Sequence, residues 1–243
     1  MRISPWLLPV CALGGVLALT LEPRPAQAYS LLGGELDLGQ RDFRVWNNFT
    51  APGANDNQTP DASFPGSTGA VMAIWKGCVE WQSGAHGAGD GDPHQPGGLG
   101  SGGANFDPSF QGLHDQAGTS NDNVHSQISG CNGGVLAFTE TPISDGWRIR
   151  YYECWNWEDG PGTNISGFDL QSVACHEYGH ALGMGHSGVN GATMYPSISG
   201  TGVGQRSIAT DDRNGIQASY GVADSEKPVI ASVTVVGAQT TIG

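Results

Sequence analysis

Residues 176–186 read His-Glu-Tyr-Gly-His-Ala-Leu-Gly-Met-Gly-His, the pattern H-E-x-x-H-x-x-G-x-x-H. On a helix, two histidines four apart lie one above the other, so His176 and His180 share one face. Both rings can then reach one zinc ion at about 2.0 to 2.1 Å. Glu177 follows His176 around the same turn, close enough to take a proton from water held at that ion without being forced to ligate it. Gly183 has no Cβ and can adopt the left-handed conformation that ends a helix, which turns the chain back and brings in His186 as third ligand. The fourth position stays open. A purely structural cluster of three imidazoles and a carboxylate with no cation would be costly to bury.

The rest of the chain frames this segment. Val71, Ile74, Trp75, Cys78 and Val79 make the apolar stripe of a helix over residues 68–82, packed against a sheet. Residues 41–49 alternate as a strand through Phe43, Val45 and Phe49. Residues 135–141 and 147–155 read as a hairpin joined by 142–146, where Asp145-Gly146 is turn chemistry. Ser166 and Asp169 are spaced to cap the His-bearing helix, and Thr210 to cap a last helix that ends at Gly221 with Asp211 and Asp212 in its first turn.

With 39 Gly and 14 Pro among 243 residues, the chain is rich in loops. Ten Lys plus Arg against 23 Asp plus Glu give a net charge of −13, which disfavours nucleic acid and anionic membrane surfaces as partners. Residues 1–28 read as a secretory signal: Arg2 precedes an apolar run over 6–21, and Ala26-Gln27-Ala28 offers small residues for cleavage. That run is short for a membrane span, and no other stretch could be one. A secreted, monomeric domain over 29–221 is expected, followed by 222–243 as a linker and the first strand of a truncated β-sandwich module.

Cys11 leaves with the signal, and Cys78, Cys131, Cys154 and Cys175 remain as an even set for an oxidising compartment. No C-x-x-C pair is present, which argues against a four-thiolate zinc site. Two disulfides are expected in one of three connectivities. The preferred one joins Cys131 to Cys154 across the hairpin ends and Cys78 to Cys175, both on helices under the sheet.

Eight residues beyond the third histidine, Ala192-Thr193-Met194-Tyr195-Pro196 places a methionine in a turn. The His motif with such a Met-turn is the metzincin signature. Together with Ser187, Gly134-Val135-Leu136-Ala137, Asp211-Asp212, Gly215-Ile216-Gln217 and Tyr220-Gly221, the chain resembles the matrixin branch of that group. The resemblance is good over 134–221 and vaguer over 41–81. It implies an α+β domain, a twisted and mostly parallel sheet with an antiparallel edge strand, packed on helices that include the one carrying the zinc ligands. It also implies Met194 as the apolar floor under the zinc and Pro196 at the start of the wall of the pocket for the residue after the cut bond. The edge strand at Leu136 and Ala137 would bind a polypeptide substrate as an added strand.

Three departures qualify it. Matrixins commonly hold a second zinc through histidines, one of them following the edge strand, where Phe138 stands here. His86, Asp90 and His94 remain as candidate donors for a second metal, and the hard oxygen ligands Asp90, Asp92 and Asp107 suit calcium, although no calcium motif is complete. No cysteine lies between Tyr29 and Cys78, so the inhibitory prosegment with its zinc-blocking thiol is not expected. The leading function is a secreted zinc endopeptidase. A zinc-binding but inactive adhesion protein on the same fold would be free to lose Glu177, and a non-proteolytic zinc hydrolase is disfavoured by the Met-turn.

Overall fold

Parallel strands cannot be joined by a tight turn and need crossovers of a dozen or more residues, which this chain supplies as helix and loop. The computed structural model describes residues 28–82, 102–105, 108–119, 121–140, 146–163, 165–198 and 202–222. The elements run β1 (Ser30–Leu31), α1 (Leu38–Arg41), β2 (Phe43–Trp46), α2 (Gly69–Val79), β3 (Phe110–Leu113), β4 (Val124–Ile128), β5 (Ala137–Thr139) and β6 (Arg148–Tyr152). Then follow β7 (Trp157–Glu158), β8 (Phe168–Asp169), α3 (Leu170–Ala181), β9 (Met184–Gly185) and α4 (Thr210–Tyr220). Five strands form one sheet in the order β3-β2-β4-β6-β5. β2 is parallel to β3 and β4, β4 is parallel to β6, and β5 closes the edge antiparallel to β6. This is the mostly parallel sheet with an antiparallel edge strand that the resemblance implies.

Register lines up Val45, His125, Ile149 and Thr139 as one row across the sheet. Strand side chains alternate between faces, so the row points one way, toward α2 and α3. There Val45 and Ile149 join Val71, Ile74, Val173, Ala174 and Tyr178 in the main core. The two helices are tied by Trp81, whose indole Nε1 donates to the Cys175 carbonyl at 2.8 Å. The opposite face carries the row Trp46, Ser126, Arg150 and Phe138. Arg150 Nη1 donates to Ser126 Oγ and to the Ala117 carbonyl, each at 2.7 Å, and Arg148 Nη1 donates to the Gly118 carbonyl at 2.8 Å. Glu140 pairs with Arg148 and lies 3.5 Å from Arg150 Nε. Together these contacts clasp the loop at 117–118 to the sheet.

Several expectations need correction. Cys131 and Cys154 are joined, but Cys78 and Cys175 are free, buried thiols. Helices side by side do not ensure that Cβ vectors converge, and Cys78 Sγ turns to the sheet, 3.3 Å from His125 Nε2. Ser166 does not cap α3: the chain stays extended through β8, Asp169 is the N-cap and accepts from Ser172 N at 2.8 Å, and Ser166 Oγ donates to Glu158 Oε1 instead. Thr210 lies inside α4, whose N-cap is Ala209, with Asp212 Oδ2 accepting the Ala209 N–H at 2.9 Å. Residues 1–27 of the proposed signal at 1–28, residues 142–145 of the hairpin connection at 142–146, the candidate donors His86, Asp90, Asp92, His94 and Asp107, and residues 223–243 lie outside the described residues. Val222 pairs with Ala104 in an antiparallel bridge and so packs with the domain.

His125 sits fully buried in the row beneath α2 and α3, with Nδ1 2.9 Å from Tyr151 Oη. Burial pushes its pKa down to about 3 from an ordinary 6.5. Between those values the unfolded chain takes a proton that the native state refuses, so this stability is present above pH 6.5 and is lost as pH falls toward 3. His125→Leu should therefore flatten the pH dependence of unfolding between pH 6.5 and 4 by up to about 1.4 kcal/mol per pH unit. Denaturant titrations of both proteins at three pH values would check this.

Candidate metal centre

The centre is built on α3. Its N-terminus is fixed by Asp169, whose carboxylate also receives the Arg206 guanidinium at 2.5 and 2.9 Å, with both side chains fully buried. Arg206 further donates to the Pro161 and Gly162 carbonyls at 2.9 and 3.1 Å. Two loops that flank the helix are thereby pinned to its first turn.

Near the other end, His176 and His180 stand one turn apart, with ring centroids at 4.8 Å. Gly183 then takes φ +93°, its N–H closing on the His180 carbonyl at 3.0 Å. The reversed chain runs as β9 beside β1 and delivers His186, whose ring lies 5.4 Å from that of His176 and 4.8 Å from that of His180. One ligand atom from each of the three lies within 4.8 Å of the others.

Two of the rings are oriented from behind. His176 Nδ1 is 2.7 Å from the Thr193 carbonyl and His180 Nδ1 is 2.8 Å from the Met184 carbonyl. A carbonyl can only accept, so each Nδ1 carries the hydrogen and each Nε2 keeps a lone pair. Burial, joined by the neighbouring His180, depresses His176 to a pKa of about 3, and burial lowers His180 as well, so these imidazoles are neutral donors at physiological pH. Such a donor set fits zinc.

Glu177 is buried beside them, and burial raises its pKa to about 7 against the opposing pull of Thr139. Glu177 and the three histidines line one cavity of about 740 Å³. Leu136, Ala137, Phe138 and Thr139 of the edge strand line it, as do Tyr195 and Pro196 after the Met-turn. Trp155, Phe168, Val173 and Ile198 make the rest of the lining largely apolar. Met194 is fully buried, and a methyl group at Gly179 on α3 would collide with its sulfur, so the Met-turn lies directly against the helix. Asp212 holds that turn from α4, accepting the Thr193 and Met194 N–H groups at 2.7 and 3.0 Å. Phe138, at the position where the resemblance implies a ligand for a second zinc, packs its ring on Tyr152 at 5.6 Å. Among the described residues, the His176, His180 and His186 trio is the one cluster of three or more candidate donors.

Thr139, Asp212, Arg206 and Trp155 were not legible as site residues. Only the two-residue spacing of Ala137 and Thr139, which puts both on the helix-facing side of a strand, offered a signal.

Residues 116–221, which include every element of this centre, match the family model described as Matrixin. Over that segment the chain is similar to matrixins. Its relatives include metalloendoproteinase 5-MMP of Arabidopsis thaliana, 41% identical over 95 residues, covering 36% of this chain and 26% of that protein. Matrix metalloproteinase-25 of Homo sapiens is 41% identical over 100 residues, covering 37% of this chain and 17% of that protein. Metalloendoproteinase 1 of Glycine max is 51% identical over 93 residues, covering 37% of this chain and 30% of that protein. The chain thus spans less than a third of the length of the curated relatives it matches. Among the described residues, no helix is long and apolar enough to cross a membrane.

Arg206→Ala would leave the Asp169 carboxylate charged and unpaired in the interior at the head of α3. Breaking one partner of a buried pair costs about 3–5 kcal/mol, so chemical denaturation should show a loss of that size. A change below about 1 kcal/mol would mean that the pair does not anchor the helix.

Proposed function

We propose that this chain is a zinc-dependent endopeptidase, exported from the cell, that binds the metal through His176, His180 and His186 and uses Glu177 as general base. The observation that carries the reading is the donor chemistry: two neutral imidazoles with Nδ1 tied to carbonyls, a third brought alongside by the Gly183 turn, and a buried carboxylate opening on the same cavity. Zinc, when bound, supplies a Lewis acid and draws the pKa of water toward neutrality.

Glu177 accepts the proton of the water that attacks the scissile carbonyl and returns it to the leaving amine, so the carboxylate ends each cycle as it began. A pKa of about 7 suits a group that must both take and give up a proton near neutral pH. Among the described residues, β5 has a hydrogen-bonded neighbour in the sheet on its β6 side alone, so a polypeptide can add to its other edge and be read by backbone first. Leu136, Ala137 and Pro196 border the cleft, and the apolar lining of Trp155, Phe168, Val173 and Ile198 favours an apolar side chain in the residue after the cut bond.

Glu177→Ala should keep about one zinc per chain and lose activity by about 10⁴-fold or more, at or above the upper end for a positioned general base, because one carboxylate serves both proton transfers. His180→Ala should lose metal and activity together. Metal analysis alongside peptide cleavage separates the two. If Glu177→Ala keeps its zinc and cleaves a good peptide within about tenfold of the parent, the mechanism is wrong. A parent that binds zinc and cleaves no member of a peptide library would instead make this an inactive binding protein.

A further inference from the structure

The H-E-x-x-H spacing puts Glu177 next to the metal ligands, yet nothing in α3 itself fixes which way a flexible glutamate turns. The edge strand does. Thr139 Oγ1 lies 2.7 Å from the Glu177 carbonyl oxygen and 3.0 Å from Glu177 Oε2. It reaches both because Thr139 pairs with Ile149 at the end of the helix-facing row and because β5 packs against α3.

We infer that Thr139 is the positioning residue for Glu177: its hydroxyl holds Oε2 and leaves Oε1 as the oxygen that meets the proton of the attacking water. This rests on the endopeptidase reading and adds to it a residue that the His motif does not contain. A hydrogen bond to a charged group is about twice as strong as a neutral one, enough to select one orientation of a side chain that must otherwise be ordered anew in each cycle. A hydroxyl also suits the task chemically. It can donate to Oε2 whether or not Oε1 carries a proton, because a carboxylate oxygen and the carbonyl oxygen of a carboxylic acid both accept, so the contact persists through the cycle. A methyl could make no such contact.

A purely structural role, stapling β5 to α3 through the carbonyl bond alone, predicts something different. Thr139→Val keeps the shape and removes the hydroxyl, Thr139→Ala guards against a misfit of the valine, and Thr139→Ser keeps the hydroxyl. If Thr139 orients the base, kcat on a peptide substrate should fall about 10- to 100-fold in the valine and alanine variants, since small misplacements of reacting groups cost that much. KM, zinc content and melting temperature should stay near those of the parent, and serine should restore kcat to within a few-fold. In crystals of the metal-free proteins, Glu177 should occupy one conformer in the parent and several in the valine variant. Parental kcat in both hydroxyl-free variants, a loss that serine fails to restore, a loss that tracks the melting temperature, or a single ordered Glu177 in Thr139→Val would each overturn the assignment while leaving the endopeptidase reading intact. A parent with bound zinc and no peptide cleavage would overturn that reading and this assignment with it.

Discussion

At Gly183 the backbone leaves α3 with φ +93°, a region that a residue bearing a Cβ enters at a cost of about 1–2 kcal/mol. The three-histidine centre depends on that turn. One more helical turn would carry the chain past the cleft, whereas the reversal lays Met184 and Gly185 beside Ser30 and Leu31 and sets His186 against the pair on the helix. The same reversal places the Met184 carbonyl behind His180, so one backbone conformation both supplies the third ring and fixes the tautomer of the second. The N-terminal segment seals the turn from outside, with Leu32 N donating to the Gly183 carbonyl and Ser30 Oγ to the His186 carbonyl.

Around this turn the domain uses buried charge as a framework. Asp169 and Arg206 tie the head of α3 to the loops on either side, and Asp212 ties the Met-turn to α4. Each carboxylate meets several donors, which is the condition under which an interior charge is tolerated. Burial still raises the pKa of Asp212 against its three backbone N–H bonds, so the position is held rather than relaxed. The loops that shape the cleft have apolar anchors such as Met194 and Ile208, and these polar ties add to their hold.

What could be read from the sequence follows from how local each signal is. The His motif, the Gly183 turn and the α2 stripe are encoded within a few residues, and the edge hairpin is marked by two alternating runs with turn chemistry between them. β4 left no such mark. Val-His-Ser-Gln-Ile is buried on both faces, so it does not alternate, and its polar members find their partners in Asn48, Thr50, Cys78, Arg150 and Tyr151 from elsewhere in the chain. The cysteines show a different limit: the positions of Cys78 and Cys175 on adjacent helices were legible, whereas the direction of a thiol depends on helix rotation. Asp212 was read as a complement to a helix dipole, while its partners at residues 193, 194 and 209 emerge only when the fold is closed.

The arginine clasp on the far face of the sheet has a consequence for how the protein responds to its surroundings. Arg148, Arg150 and Glu140 hold the 117–118 loop through guanidinium contacts to carbonyls and a carboxylate, all of them groups of the chain itself. Where a loop is pinned by a coordinated cation, scarcity of that cation loosens the scaffold along with the chemistry. Here every tie on the 117–118 loop comes from side chains of the sheet, so its hold does not depend on what the His176, His180 and His186 cluster carries.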